Sequence, residues 1–126
     1  MHKRLLVVDD DPGMRVLMHL LLSKSDYQIV AEGEDGEQAV TLYAQLQPDC
    51  VLLDLMMPRV DGLTALRLIM QAYPHAQVIV CSGKRNGDTV REAYAAGARD
   101  FITKPFGRAE LQRALERTDS GATAVA

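Results

Sequence analysis

Asp9, Asp10 and Asp11 stand in a row behind the apolar run LLVV and ahead of Pro12 and Gly13. Asp54 closes a second apolar run, CVLLD, Ser82 closes a third, QVIVCS, and Lys104 follows DFIT. Adjacent carboxylates repel one another and are costly to desolvate unless a cation, a donor or water compensates them. Collected at one edge of a fold, these residues make an acidic pocket with one ammonium and one hydroxyl. Short carboxylates in such a set suit a hard, oxygen-seeking ion. Mg2+ fits best, because it keeps waters and takes only one or two protein carboxylates beside phosphate oxygens. No histidine or cysteine stands among them to build a zinc site.

Each residue also has a plainer reading. Aspartates behind a strand can simply cap the next helix, and Asp11 is expected to do so, since Pro12 behind it suits the first helical position, where a missing N–H costs nothing. That leaves Asp9 and Asp10 for the pocket. Asp54 taken alone reads as a polar strand end, Ser82 as a turn former, and Lys104-Pro105 as a surface turn compatible with a cis bond. Taken together the plain readings fail, because so many reactive types rarely converge on one edge by chance.

The elements that must position these residues are visible as periodicity. Short β-branched runs, LLVVD, YQIVAE, CVLLD, QVIVCS and DFITK, are each followed by a helical pattern, giving five βα units. In the first helix Met14, Leu17, Met18 and Leu21 form the apolar stripe, which places Arg15 and His19 on the opposite, wet face. The third helix repeats Leu63, Leu66, Met70 and Tyr73, and Pro74 stops it. The fourth has a stripe of mostly small residues, Val90, Ala93, Tyr94 and Gly97, and is expected to be the most loosely held. The last carries Leu111, Ala114 and Leu115. The segment TDSGATAVA shows no periodicity, so the domain is expected over residues 1–117 with a flexible tail or linker start over 118–126.

Strands apolar on both faces belong to a parallel sheet covered by helices on each side, and right-handed crossovers make it doubly wound. Ligands then collect beyond the carboxyl ends of the strands at the switch point in strand order. Cys50 and Cys81 fall near opposite ends of neighbouring strands, too far apart to bridge, and read as two buried reduced thiols.

At 126 residues the chain has the length of one ordinary domain, and a net charge of −3 with interspersed signs argues against a disordered tail or a nucleic-acid-coating surface. The apolar stretch after MHKR is too short for a signal-peptide core, and no run approaches membrane-spanning length, so the expected location is the cytoplasm.

VVDDD at Asp9 to Asp11, LLDLMMPRVDG around Asp54, CSG at Ser82 and DFITKPF around Lys104 together resemble the receiver domain of two-component response regulators over about residues 3–117. VIVCSG and GARDFITKPF look most like the single-domain chemotaxis-type members. The resemblance implies a flavodoxin-like α/β fold, a five-stranded parallel sheet of order 2-1-3-4-5 with five helices. It implies Asp54 as phosphoacceptor, with Asp9, Asp10, the Asp54 carboxylate and the Met56 backbone carbonyl holding Mg2+. Lys104 and Ser82 would assist, and Ser82 and Phe101 would form the switch. The implied partners are a sensor histidine kinase or phosphotransfer protein that donates the phosphoryl group, and a downstream protein that reads the face of the fourth helix, fifth strand and fifth helix. The family often has threonine at the position of Ser82 and tyrosine at that of Phe101, which leaves partner identity open. Met56 and Lys84 would sit on the pocket rim, where the family varies.

Other functions fit less well. An aspartate-nucleophile phosphatase wants a second acid two residues after the nucleophile, where this chain has Met56. A small flavin-binding domain wants a Ser/Thr/Gly-rich phosphate loop where three aspartates stand. An interaction module that is never phosphorylated has no need of the complete Asp9, Asp10, Asp54, Ser82, Lys104 set. GKRNGDT lacks the glycine spacing of a P-loop. No helix-turn-helix follows the fifth βα unit, so DNA binding would require this chain to be the receiver part of a longer response regulator.

Overall fold

Five strands alternate with five helices: β1 (Lys3–Val8), α1 (Pro12–Leu22), β2 (Tyr27–Gly33), α2 (Gly36–Leu46), β3 (Cys50–Asp54), α3 (Gly62–Ala72), β4 (Val78–Ser82), α4 (Gly87–Ala95), β5 (Asp100–Thr103) and α5 (Arg108–Ser120). The structure is a computed structural model and describes residues 3–57, 59–83 and 86–120. All strands are parallel and run in the order β2-β1-β3-β4-β5, the flavodoxin-like arrangement expected from the sequence. No helix among the described residues is long and apolar enough to cross a membrane.

The two-residue period of the strands divides the core into two layers. Leu6, Val8, Val51, Leu53, Val80 and Phe101 face one side of the sheet, where α2, α3 and α4 add Ala39, Leu66, Ile69 and Ala93. Leu5, Val7, Leu52, Ile79 and Ile102 face the other, under Met18 and Leu22 of α1 and Leu111, Ala114 and Leu115 of α5. β3 and β4, covered on both sides, are buried at every residue. Asp54 pairs in register with Cys81, which leaves Cys50 at the far end of β3, and both thiols are free and buried.

Helix starts follow local chemistry. Asp11 caps α1 by accepting from the Gly13 amide at 2.9 Å, with Pro12 in the first turn, as the sequence predicts. Asp35, Asp61 and Asn86 cap α2, α3 and α4 in the same way, each at 2.8 Å. Such caps contribute about 1 kcal/mol apiece.

Four sequence expectations are revised. Arg15 is not on a wet face: its side chain is only 14% exposed, because acceptors at and just beyond the ends of β1 and β2 surround it. His19 does lie outside, at 51%. Gly97 is not part of the α4 stripe, since it follows the helix with φ +111°, the left-handed stop that glycine favours. A Cβ there would stand 2.7 Å from Met70 Cγ, so the missing side chain also admits α3. In α3 the buried residues are Gly62, Ala65, Leu66 and Ile69, while Leu63, Met70 and Tyr73 are partly covered. α5 continues through Ser120, past the expected boundary at 117, and Thr118 Oγ1 donates to the Leu115 carbonyl at 2.6 Å. Residues 121–126 of the expected tail lie outside the described residues.

Candidate functional site

The parallel sheet delivers four strand ends to one edge. β1 runs into Asp9, whose amide donates to the Gly33 carbonyl at 3.0 Å and so prolongs the pairing with β2. The Asp9 side chain is 2% exposed and fully engaged: Oδ1 accepts from the Asp11 amide at 2.9 Å and Oδ2 from Lys104 Nζ at 2.6 Å. Asp54, the last residue of β3, is 5% exposed; its Oδ1 accepts from the Met56 amide at 3.1 Å and its Oδ2 lies 3.4 Å from Lys104 Nζ. Asp10 is exposed at the mouth. One carboxylate oxygen from each of Asp9, Asp10 and Asp54 falls within 4.8 Å of the others.

Lys104 reaches this cluster from just beyond β5. Its amide donates to the Ser82 carbonyl at 2.9 Å, and the Lys104–Pro105 peptide behind it is cis. Ser82, the end of β4, is 1% exposed. Beside it a cavity of about 540 Å3 opens between Leu55, Met57 and Leu63 on one wall and Thr89 and Glu92 of α4 on the other. α4 therefore borders open volume, and among the described residues it buries only Ala93, which agrees with a loosely held helix.

The electrostatics match a site prepared for a cation. Burial raises the Asp54 carboxyl pKa above the ordinary aspartate value; the Met56 N–H and the Lys104 charge oppose the rise, and the Asp9 charge adds to it. Burial pulls Lys104 down, but its hydrogen bond to Asp9 and the charges of Asp54 and Asp9 outweigh that and hold it above the ordinary lysine value. Burial also drives the Cys81 thiol far up, so this neighbour of Asp54 stays protonated and inert. The cluster offers only carboxylate oxygens, the donor set of a hard divalent ion, with one ammonium bridging two of its three members.

Supports that periodicity does not show hold these groups in place. The connection from β3 to α3 is tied by the Gly62 amide to the Leu55 carbonyl at 3.1 Å, by the Gly36 amide to the Val60 carbonyl at 2.9 Å, and by Arg59 to Asp35 at 3.4 Å. Both glycines are demanded by close approach. A Cβ on Gly62 would stand 2.1 Å from the Asp54 carbonyl oxygen, and one on Gly36 2.0 Å from that of Val60. Farther along the sheet, buried Asp100 joins three elements: it accepts from Arg117 of α5 at 2.6 Å, from Tyr94 of α4 at 3.3 Å and from the Phe101 amide at 2.8 Å.

The sequence-predicted residues thus divide by place. Asp9, Asp10, Asp54 and Lys104 come together, Ser82 ends the adjacent strand, and Met56 follows Asp54 with a 57% exposed side chain. Phe101 lies away from them, 5% exposed inside the layer under α3 and α4. Lys84, expected on the rim, lies outside the described residues.

A family profile described as response regulator receiver domain matches residues 5–116. The chain belongs to that family. This receiver domain is 40% identical over 117 residues to the chemotaxis protein CheY of Thermotoga maritima, covering 93% of this chain and 98% of the relative. It is 42% identical over 118 residues to CheY of Bacillus subtilis, covering 94% and 98%. Among solved structures, the CheX-CheY-BeF3-Mg2+ complex of Borrelia burgdorferi superposes on the receiver domain with a TM-score of 0.89 at 30% identity, covering 93% of this chain and 89% of that one.

Proposed function

We propose that this receiver domain is a phosphorylation-dependent signalling switch that accepts a phosphoryl group on Asp54. The observation that carries the reading is the convergence of Asp54 with Asp9, Asp10 and Lys104 at the carboxyl edge of the sheet. An Asp54 carboxylate oxygen attacks the phosphorus of a phosphohistidine on a partner kinase or phosphotransfer protein. The P–O bond forms as the P–N bond breaks, and the departing imidazole takes up a proton. The repulsion between two anions is the main barrier to that approach, and cations must offset it. Asp9, Asp10, the Asp54 carboxylate and the Met56 carbonyl would hold Mg2+, which supplies positive charge to the transferring oxygens when bound.

The other residues have roles set by their positions. The Met56 amide orients Asp54 through Oδ1, which leaves Oδ2 beside Lys104. Lys104 is poised to pair with a phosphoryl oxygen in place of a carboxylate. Ser82, at the end of the next strand, moves its hydroxyl to the new phosphoryl group, and α4, bordering the cavity, follows. Phe101 is buried, as befits a ring with no phenol to keep in water. The readout is the face formed by α4, β5 and α5, which presents itself differently to a downstream protein. The chain accelerates its own phosphorylation and dephosphorylation but turns over no separate substrate. Its identity with CheY proteins over most of its length supports a cytoplasmic role in chemotaxis.

A small phosphodonor such as acetyl phosphate tests the reading without the kinase. Labelling is expected with Mg2+, and is expected to be lost on chelation and in Asp54→Asn. Labelling that survives that substitution overturns the site.

A further inference from the structure

Asp10 is the least supported member of the acidic cluster. It is exposed, and no donor among the described residues reaches its carboxylate. What anchors it is therefore its backbone, and the peptide that joins it to Asp9 is one rigid plane carrying the Asp9 carbonyl and the Asp10 amide. That carbonyl accepts from Arg15 Nη1 at 2.7 Å. The Arg15 guanidinium is itself held from the opposite side, with Nε 3.2 Å from Glu32 Oε1 and Nη2 3.6 Å from Glu34 Oε1. Glu32 lies near the carboxyl end of β2 and Glu34 just after it, and the second oxygen of Glu32 faces His19 Nε2 at 3.0 Å. The guanidinium is planar, so fixing two of its nitrogens aims the third.

We propose that Arg15 is a positioning residue for the acidic cluster: it fixes the Asp9–Asp10 peptide so that the Asp10 carboxylate stays directed at the oxygens of Asp9 and Asp54, while Glu32 and Glu34 hold the guanidinium in place. The inference rests on the metal-assisted reading above. Charge alone predicts the opposite effect. A bare cation beside a cation site weakens it, and here the two glutamates offset that charge and leave the geometry. Lysine cannot replace this arginine, because one ammonium on a flexible stem does not span the Asp9 carbonyl and both glutamates with fixed directions.

The experiment is a titration with Mn2+, followed by the paramagnetic signal of the free ion at constant ionic strength. It compares the unaltered chain, Arg15→Lys, Arg15→Gln and Glu32→Gln. Melts in chelator serve as the fold control. Both arginine variants are expected to bind Mn2+ about tenfold more weakly, the scale of losing a group that orients a ligand, with a smaller loss in Glu32→Gln. In acetyl phosphate labelling, the Mg2+ needed for half the maximal rate rises in Arg15→Lys, while the rate at saturating Mg2+ returns to that of the unaltered chain. A role confined to stability would lower the melt and leave the Mn2+ affinity alone. Arg15→Lys binding as the unaltered chain does, or Arg15→Gln binding more tightly, overturns the inference. If Arg15→Gln does not fold, Arg15→Lys and Glu32→Gln decide it. An unaltered chain that binds no Mn2+ overturns the metal reading and this inference together, whereas binding that is equal in Arg15→Lys removes the inference alone.

Discussion

At the scale of single residues, Asp54 carries the sharpest conflict, a carboxylate that the proposed phosphotransfer needs as an anion and that is buried at 5% exposure. Its folded pKa is raised, first by burial. A raised carboxyl takes up its proton more readily in the folded than in the unfolded chain. The resulting stability is present below the unfolded pKa and is lost as pH rises through the folded value. The metal-free protein therefore gives up stability across the carboxylate range on the way to neutral pH. Asp54→Asn removes that loss while leaving Lys104 its nearer partner, Asp9 at 2.6 Å. It is expected to raise the neutral-pH Tm in chelator. Melts of both proteins across pH check this, and an Asn variant no more stable than its parent at pH 7 would contradict it. Lys104 has the same sign in a different pH window. Its raised pKa marks stability present below the unfolded lysine value and lost only as pH rises through the folded one, in the alkaline range.

At the scale of elements, the site depends on how closely the chain leaving β3 meets the start of α3. Gly62→Ala would drive a Cβ to 2.1 Å from the Asp54 carbonyl oxygen and 2.5 Å from Leu55 Cα, and both are backbone atoms that cannot rotate away. Such overpacking costs about 1–3 kcal/mol. The same shift displaces Asp54, the proposed nucleophile, where an error of about 1 Å can cost about 100-fold in rate. The variant is expected to melt lower and, at temperatures where it remains folded, to label with acetyl phosphate at least tenfold more slowly. Parental values in both assays would show that the close approach is dispensable. The strands were legible because burial on both faces leaves an unbroken apolar run, as in VLL and VIV. The packing role of Gly62 was not, because a glycine one residue after an aspartate looks like any helix start until the strand it touches is known. Arg15 misled for a related reason: a helical wheel separates apolar from polar, and the acceptors that draw this arginine inward sit at and just beyond the ends of β1 and β2.

At the scale of the whole molecule, the strand order converts sequence separation into contact. Asp9 and Lys104 lie 95 residues apart in the chain and 2.6 Å apart in space, because β1 and β5 both end at the same edge. The candidate cluster could be anticipated from the residue types that close apolar runs. Its bridging by Lys104, the cavity beside Ser82 and the Asp100 junction of α4, β5 and α5 could not, since each depends on where side chains point once the elements have packed. A cation held only by the assembled edge must stabilise the folded chain. Mg2+ at ten times its Kd is expected to contribute about 1.4 kcal/mol, raising the Tm by several degrees, and a melt indifferent to millimolar Mg2+ would remove the cation from the site. The central claim is covalent, and locating the bond tests it most directly. After treatment with acetyl phosphate and Mg2+, borohydride reduces an aspartyl phosphate to homoserine, and peptide mass mapping finds the altered residue. Homoserine at position 54, absent when Mg2+ is chelated, is the predicted result; modification at another residue, or none at all in the presence of Mg2+, would contradict it.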